Sequence, residues 1–300
     1  MNRIGKKQLL TVAVATFVAM LLMVPATGWA QSKPWAKLAD GVLTFTYGAK
    51  PATESANIKC PNCGKPIAAA HKFCPNCGTA KPKPKSFVFA VPLNAKNVED
   101  LPWRENQEEV KQVVFNQSFR QVSNITSTAN WFCYMGNLTS ITGLENLRTG
   151  NVTNMERMFS GCLRLTSLNL SIFNTSNVTD MNTMFHSCKS LTSLNLSNFD
   201  TSKVTDMNYM FSICERLTSL NLSSFNTSNV TKMYTMFFSC KSLTSLDLSN
   251  FDTRNVTDMY NMFALCPSLK TITVSSTTWD SQKADTKDMF EKCPAQIVKK

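Results

Sequence analysis

The chain has 300 residues, 43% of them hydrophobic and 17% charged, with a formal charge of +11. This length and composition exclude a disordered chain and allow a packed core in one or two domains. The charge invites an anionic partner, but residues 151–275 hold nine Lys or Arg against eight Asp or Glu, so the long C-terminal part is nearly neutral.

At the N-terminus Arg3, Lys6 and Lys7 precede an apolar run over residues 9–24, followed by Pro25 and by Gly28 and Ala30, small residues at positions −3 and −1 of a cleavage site. This pattern is a secretory signal peptide, residues 1–30, and it predicts export to the cell surface or medium, with the periplasm as the alternative destination. An uncleaved anchor is the competing reading, and it wants about 20 apolar residues, more than the run supplies. No membrane span is expected after cleavage. Residues 31–50 then open an N-terminal module.

Residues 51–85 interrupt that module. They contain Cys60-Pro61-Asn62-Cys63-Gly64 and Cys74-Pro75-Asn76-Cys77-Gly78, with ten residues between Cys63 and Cys74. In such a knuckle a tight turn aims two thiolates at one point, and the following glycine accepts the positive φ that the turn requires. Two knuckles make Cys60, Cys63, Cys74 and Cys77 the expected ligands of a structural zinc ion, closed because all four positions are cysteine. Zinc would also supply folding energy that a segment of about 30 residues cannot obtain from a core. The alternative is two disulfides, because exported thiols meet an oxidising compartment. His71 lies between the knuckles but is surplus to the shell.

Around the knuckles stand Lys50, Lys59, Lys65, Lys72, Lys81, Lys83 and Lys85 against Glu54, ending in a Lys-Pro linker. A zinc-ribbon module that binds an anionic polymer is therefore one functional reading. Nucleic acid is not the expected polymer, since only Phe73 is available for stacking and the chain carries an export signal.

Residues 86–130 complete the N-terminal module, with 86–91 as the hairpin partner of 42–47, and cap the repeats that begin at 131. Val152, Val178, Val204, Val230 and Val256 are each 26 residues apart, and Cys162, Cys188, Cys214, Cys240 and Cys266 keep the same period. Within one copy, Leu191, Leu194 and Leu196 form L-x-x-L-x-L, one short strand. Val178, Met181, Met184, Phe185 and Cys188 then step at helical spacing, with Ser176 or Asn177 as cap. The fold predicted is an α/β solenoid, parallel strands on one face and short helices on the other, over residues 131–275, with a C-terminal cap at 276–300.

The stretch Asn198-Phe199-Asp200-Thr201-Ser202-Lys203-Val204-Thr205-Asp206-Met207-Asn208-Tyr209-Met210-Phe211, followed by Leu217-Thr218-Ser219-Leu220, resembles the repeat of BspA-like bacterial leucine-rich-repeat surface proteins. Trp131-Phe132 and residues 138–147 are similar to that family's opening copy, and Val42-Leu43-Thr44-Phe45-Thr46-Tyr47 resembles its opening strand. The resemblance spans residues 35–50 and 86–300 and implies surface exposure, adhesion to host proteins or other cells in some members, and no enzyme activity. The zinc ribbon is an insertion outside the family pattern.

No catalytic constellation is evident, since His71 and His186 are the only histidines and neither sits in a supporting motif. The repeating aspartates at 180, 200, 206, 252 and 258 are expected to serve caps and loops. The repeat cysteines are expected as small buried residues, kept from bridging by helices about 10 Å wide. The candidate binding face is the exposed side of the strands, formed by Ser167, Asn169, Ser193, Asn195, Ser219, Asn221, Ser245 and Asp247. Small polar ladders of this kind suit host or bacterial surface proteins or glycans through many weak contacts, without the aromatic or Arg anchors of a hot spot. A purely structural spacer is the third reading. The sequence is silent on oligomeric state.

Overall fold

The computed structural model describes residues 32–51, 60–65, 73–79 and 86–300. The leader at 1–30, His71, Lys59, Lys72, Lys81, Lys83 and Lys85 lie outside these residues. No helix among the described residues is long and apolar enough to cross a membrane.

A five-stranded sheet opens the fold. Strands β1 (Lys33–Ala39), β2 (Val42–Gly48), β3 (Ser86–Ala90), β4 (Gln112–Phe115) and β5 (Ser140–Thr142) are arranged in the order β3-β1-β2-β4-β5. The hairpin expected between 42–47 and 86–91 does not form, because β1 lies between them and pairs antiparallel with both β2 and β3. Strand β1 escaped the sequence reading because Pro34 and two lysines dilute its alternation. From β2 onward pairing is parallel, so β2, β4 and β5 already run in the solenoid's direction. Phe45 anchors this end, stacked on Phe115 at 4.6 Å and Trp131 at 5.6 Å and edge-on to Trp103 at 5.5 Å. Trp103 Nε1 donates to the Trp131 carbonyl at 2.9 Å, which satisfies the one polar atom of a fully buried ring.

The solenoid continues from this sheet with the expected period. Each copy buries Leu, Leu, Leu, Phe, Val, Met, Met, Phe and Cys in one continuous core. On the strand side, β6 (Ser245–Leu248), β7 (Thr271–Val274) and β8 (Gln296–Lys299) form a regular parallel sheet. In the middle copies the alternation of buried and exposed residues persists, but the bonds between copies lengthen to 3.4 Å at Thr192 and Thr218, against 3.0 Å at Lys270.

The opposite face corrects the helix expectation, because the described residues hold no α-helix; each copy instead makes consecutive tight turns. Met184 N–H donates to Met181 C=O three residues back, whereas Phe185 N–H donates to Met210 C=O of the following copy. A left-handed residue sits in each of two columns, for example Thr183 at φ 61° and Ser187 at φ 57°. Isolated parallel bridges join Asn154, Asp180, Asp206, Lys232 and Asp258 in series. The physical reason is spacing. A helix needs about 10 Å of width, whereas parallel strands repeat at about 4.8 Å, and turns that share hydrogen bonds between copies match the strand side. Phe159, Phe185, Phe211, Phe237 and Phe263 consequently stack as a ring ladder with centroids 5.7 to 5.8 Å apart. The residues that mimicked a helix face are the inward residues of these turns, all fully buried.

Ser176 and Asn177 are accordingly not helix caps. Asn177 Nδ2 donates to Gly150 C=O of the copy before, a bond repeated by Asn229 and Asn255. The repeating aspartates do serve turns. Asp180 Oδ1 accepts from Asn182 N–H at 2.9 Å, and Asp200, Asp206, Asp252 and Asp258 act in the same way.

Candidate metal centre and contact surfaces

The two knuckles fold identically. Gly64 N–H donates to Cys60 C=O and Cys60 N–H to Lys65 C=O, and the pattern recurs with Gly78, Cys74 and Thr79, all at 2.7 to 2.9 Å. Gly64 and Gly78 take φ of +69° and +71°, where a side chain would add strain. These turns bring the four sulfurs together, with Cys60 to Cys77 at 3.4 Å, Cys63 to Cys74 at 3.6 Å, Cys77 to Cys63 at 3.7 Å, and all pairs within 4.8 Å. A tetrahedron of sulfurs each about 2.3 Å from zinc has edges of about 3.8 Å, so the set fits a four-coordinate Zn²⁺. The separations exceed an S–S bond of about 2.05 Å, and all four cysteines are free, against the disulfide alternative.

The electrostatics suit the same ion. Burial raises the Cys60 thiol, but the amides of Cys63 and Asn62 outweigh it and lower the thiol overall. Hydrogen bonds from the Thr79 hydroxyl and amide, with a further one from Cys60, bring Cys77 down to about 6. The Lys65 amide favours the Cys63 thiolate, yet burial and the other three sulfurs hold this thiol up at about 11. Ionising part of the cluster is easy and completing it requires a cation, which is how a metal site couples ligand deprotonation to binding. The contribution of Thr79 was not legible in the motif, since it depends on the turn returning the chain over Cys77.

The strand-side residues named from the sequence are brought together as one surface. Ser167, Asn169, Ser193, Asn195, Ser219, Asn221, Ser245 and Asp247 are all exposed. One of their columns also fastens the turn beside it, because Asn169, Asn195, Asn221 and Asp247 each accept, through Oδ1, the amide two residues on, at 2.9 to 3.1 Å. The amide nitrogens of Asn169, Asn195 and Asn221, and the serine hydroxyls, have no partner among the described residues and stay open to a ligand.

The repeat cysteines are buried as expected, but the helix-width argument for their isolation does not hold. Each thiol donates to the carbonyl of a phenylalanine one copy upstream, Cys188 to Phe159 and Cys214 to Phe185 at 3.2 Å. Burial pushes the Cys214 thiol up to about 12 and that of Cys162 higher still. Both are inert as nucleophiles.

His186 is half-buried, edge-on to Tyr209 at 5.9 Å, with burial lowering its pKa. Beside it on the turn face run the acids of the bridge ladder. Burial raises Asp180, an effect the Asp206 charge opposite reinforces, and Glu156 is raised likewise.

The model of a family described as "Mycoplasma protein of unknown function, DUF285" matches residues 105–212 and 190–299. The model of a zinc-ribbon domain matches residues 59–81. No curated protein matches the chain. Among solved structures, a leucine-rich repeat protein from Eubacterium ventriosum is similar over 90% of this chain and 77% of that one, at 14% identity and a TM-score of 0.27.

Proposed function

This chain belongs to the DUF285 family, and from that premise we propose that it is an exported, non-catalytic interaction protein that presents its leucine-rich-repeat solenoid to surface proteins or glycans. The observation that carries the reading is the regular exposed ladder of Ser167, Asn169 and their counterparts, held at fixed spacing by a continuous buried core. Preorganised repeats of weak polar contacts bind extended ligands by multiplicity, because the ordering cost has already been met by the fold. Export is supported by the basic, apolar and small-residue pattern of residues 1–30. Zinc is our assignment for the four-cysteine centre, supported by the zinc-ribbon match and the sulfur geometry, and its role is to fold the knob.

The test is a screen of the purified chain against immobilised extracellular-matrix proteins and neutral surface glycans, repeated with a Ser193→Glu, Asn195→Asp variant. Asp keeps the Oδ1 acceptor that the turn needs, so the fold is retained while the ladder gains two charges. Loss of binding supports the strand-face reading, and unchanged binding removes it.

A further inference from the structure

The repeat supplies its own reference, and two of its columns are broken in the same place. In the column of Arg148 the later copies carry Asn174, Asp200, Asn226 and Asp252, each of which accepts the amide two residues on through its side chain. Arginine has no acceptor, so Gly150 N–H has no side-chain oxygen to donate to. In the column of Ile172 the neighbours are Asn146, Asn198, Ser224 and Asn250, and each donates to a carbonyl of the copy before it. Ile172 makes no such bond and is 47% exposed. Both departures sacrifice a local hydrogen bond, and neither adds to the core.

They meet at one groove. An open groove of about 650 Å³ is lined by Arg120, Arg148, Ile172 and Asn174 among others, and an adjoining one of about 570 Å³ shares both arginines. Neither arginine has an ion-pair partner among the described residues; Glu145 is the one acid lining either groove. The walls are fixed. Asn116 Oδ1 accepts from Ser118 N–H, Asn151 Nδ2 donates to Ser123 C=O, and Thr149 Oγ1 both donates to Asn174 C=O and accepts from Asn174 N–H. These bonds leave Asn116 Nδ2, Asn174 Nδ2 and Asn151 Oδ1 without a protein partner among the described residues.

We infer that the groove between Arg120 and Arg148 binds an acidic oligosaccharide. Guanidinium forks match carboxylate or sulfate oxygens in pairs. The free amide ends suit sugar hydroxyls, and Ile172 offers an apolar surface to the C–H face of a pyranose ring. A peptide anchor would want a deep apolar pocket or aromatic contacts, and the groove is shallow with no aromatic residue in its lining. The inference rests on the interaction-protein reading but uses a different surface from the strand ladder.

The test is calorimetric titration of the full chain with three tetrasaccharides, one heparin-derived, one hyaluronan-derived and the third neutral chitotetraose, with tetraglutamate as the peptide arm. Variants Arg148→Asn and Ile172→Asn restore the residues of their columns, so they fold at least as well as the parent. Arg254→Ser, four copies from Arg148 and likewise the residue of its column, removes the same charge as a control. The expected result is saturable binding of one or both acidic sugars, weakened about tenfold or more by Arg148→Asn and less by Ile172→Asn, and unaffected by Arg254→Ser. Binding of the sulfated sugar alone or of both identifies the substituent. Absence of saturable binding to either acidic sugar, equal binding of tetraglutamate, or an equal loss in Arg254→Ser overturns the inference. The strand-ladder variant leaves these titrations unchanged, so the two readings fail separately.

Discussion

Replacing Phe211 by alanine tests whether the ring ladder holds the copies together. Phe211 is fully buried and stacked between Phe185 at 5.8 Å and Phe237 at 5.7 Å. Truncating a buried phenylalanine costs about 3–5 kcal/mol, and losing two ring partners places this site at the upper end, about 5 kcal/mol. Phe290 ends the ladder, half-buried and stacked only on Phe263 at 5.5 Å, so Phe290→Ala should cost about 2 kcal/mol. Unfolding entropy of about 2.1 cal/mol/K per residue gives a solenoid of this length about 0.4 kcal/mol/K, hence melting shifts of about 12 °C and 5 °C. Differential scanning calorimetry reads both, and urea titration followed by circular dichroism gives the free energies. Because copies touch only their neighbours, the central variant should also broaden or split the transition. Equal shifts for the two variants, with a single sharp transition in each, would refute the idea that stacked rings carry the coupling.

Gly143→Ala should destabilise by about 3 kcal/mol or more in chemical denaturation, since its Cβ would run into the Phe115 carbonyl oxygen at a φ of +73°. Gly161→Ala, at φ +75°, should cost only about 1 kcal/mol, because Ser187, Ile213, Ser239 and Leu265 hold the same column at φ 57° to 61°. Asp180→Asn keeps the turn, as Asn154 does one copy earlier, and relieves repulsion from Asp206 opposite. It should stabilise by about 0.5 kcal/mol at pH 7. Asp180 is raised in the folded state, so its charge disfavours folding at neutral pH. That penalty fades as pH falls through the raised value and is gone below the ordinary 3.8, where the difference between variant and parent in a pH series of melts should vanish. Metal analysis of protein isolated from its native cell should find one zinc per chain, lost in Cys60→Ser. The solenoid's melting should barely move, because no hydrogen bond joins the knuckles to it among the described residues. Absence of metal together with four blocked thiols would sink the zinc assignment.

Much of the architecture was legible because a repeat states its rule several times. The 26-residue period, the buried columns and both degraded ends emerge from Val178, Leu191, Phe199 and Cys188 recurring in step, and one copy alone would have been ambiguous. The knuckles were legible for a different reason. Cys-x-x-Cys-Gly encodes a turn local enough to form wherever it lies, so Cys60, Cys63, Cys74 and Cys77 needed only to be brought together once.

What the tertiary structure decided concerns the relation between copies. Val178, Met181, Met184, Phe185 and Cys188 have the spacing of a helix face, and nothing within one copy opposes a helix. The neighbour does, because its strand side fixes a separation that helices cannot share, and the backbone bonds pass between copies instead. The groove beside Arg148 and Ile172 depends on the same relation. Both residues stand out as exceptions when the copies are aligned, but only the fold brings them together with Arg120, which lies outside the regular repeat. The sequence alone determined the period, the buried columns and the four-cysteine set, since each is a property of local pattern. The turn face and the groove were settled by packing, where the spacing between stacked copies outweighs the conformational preference of any single one.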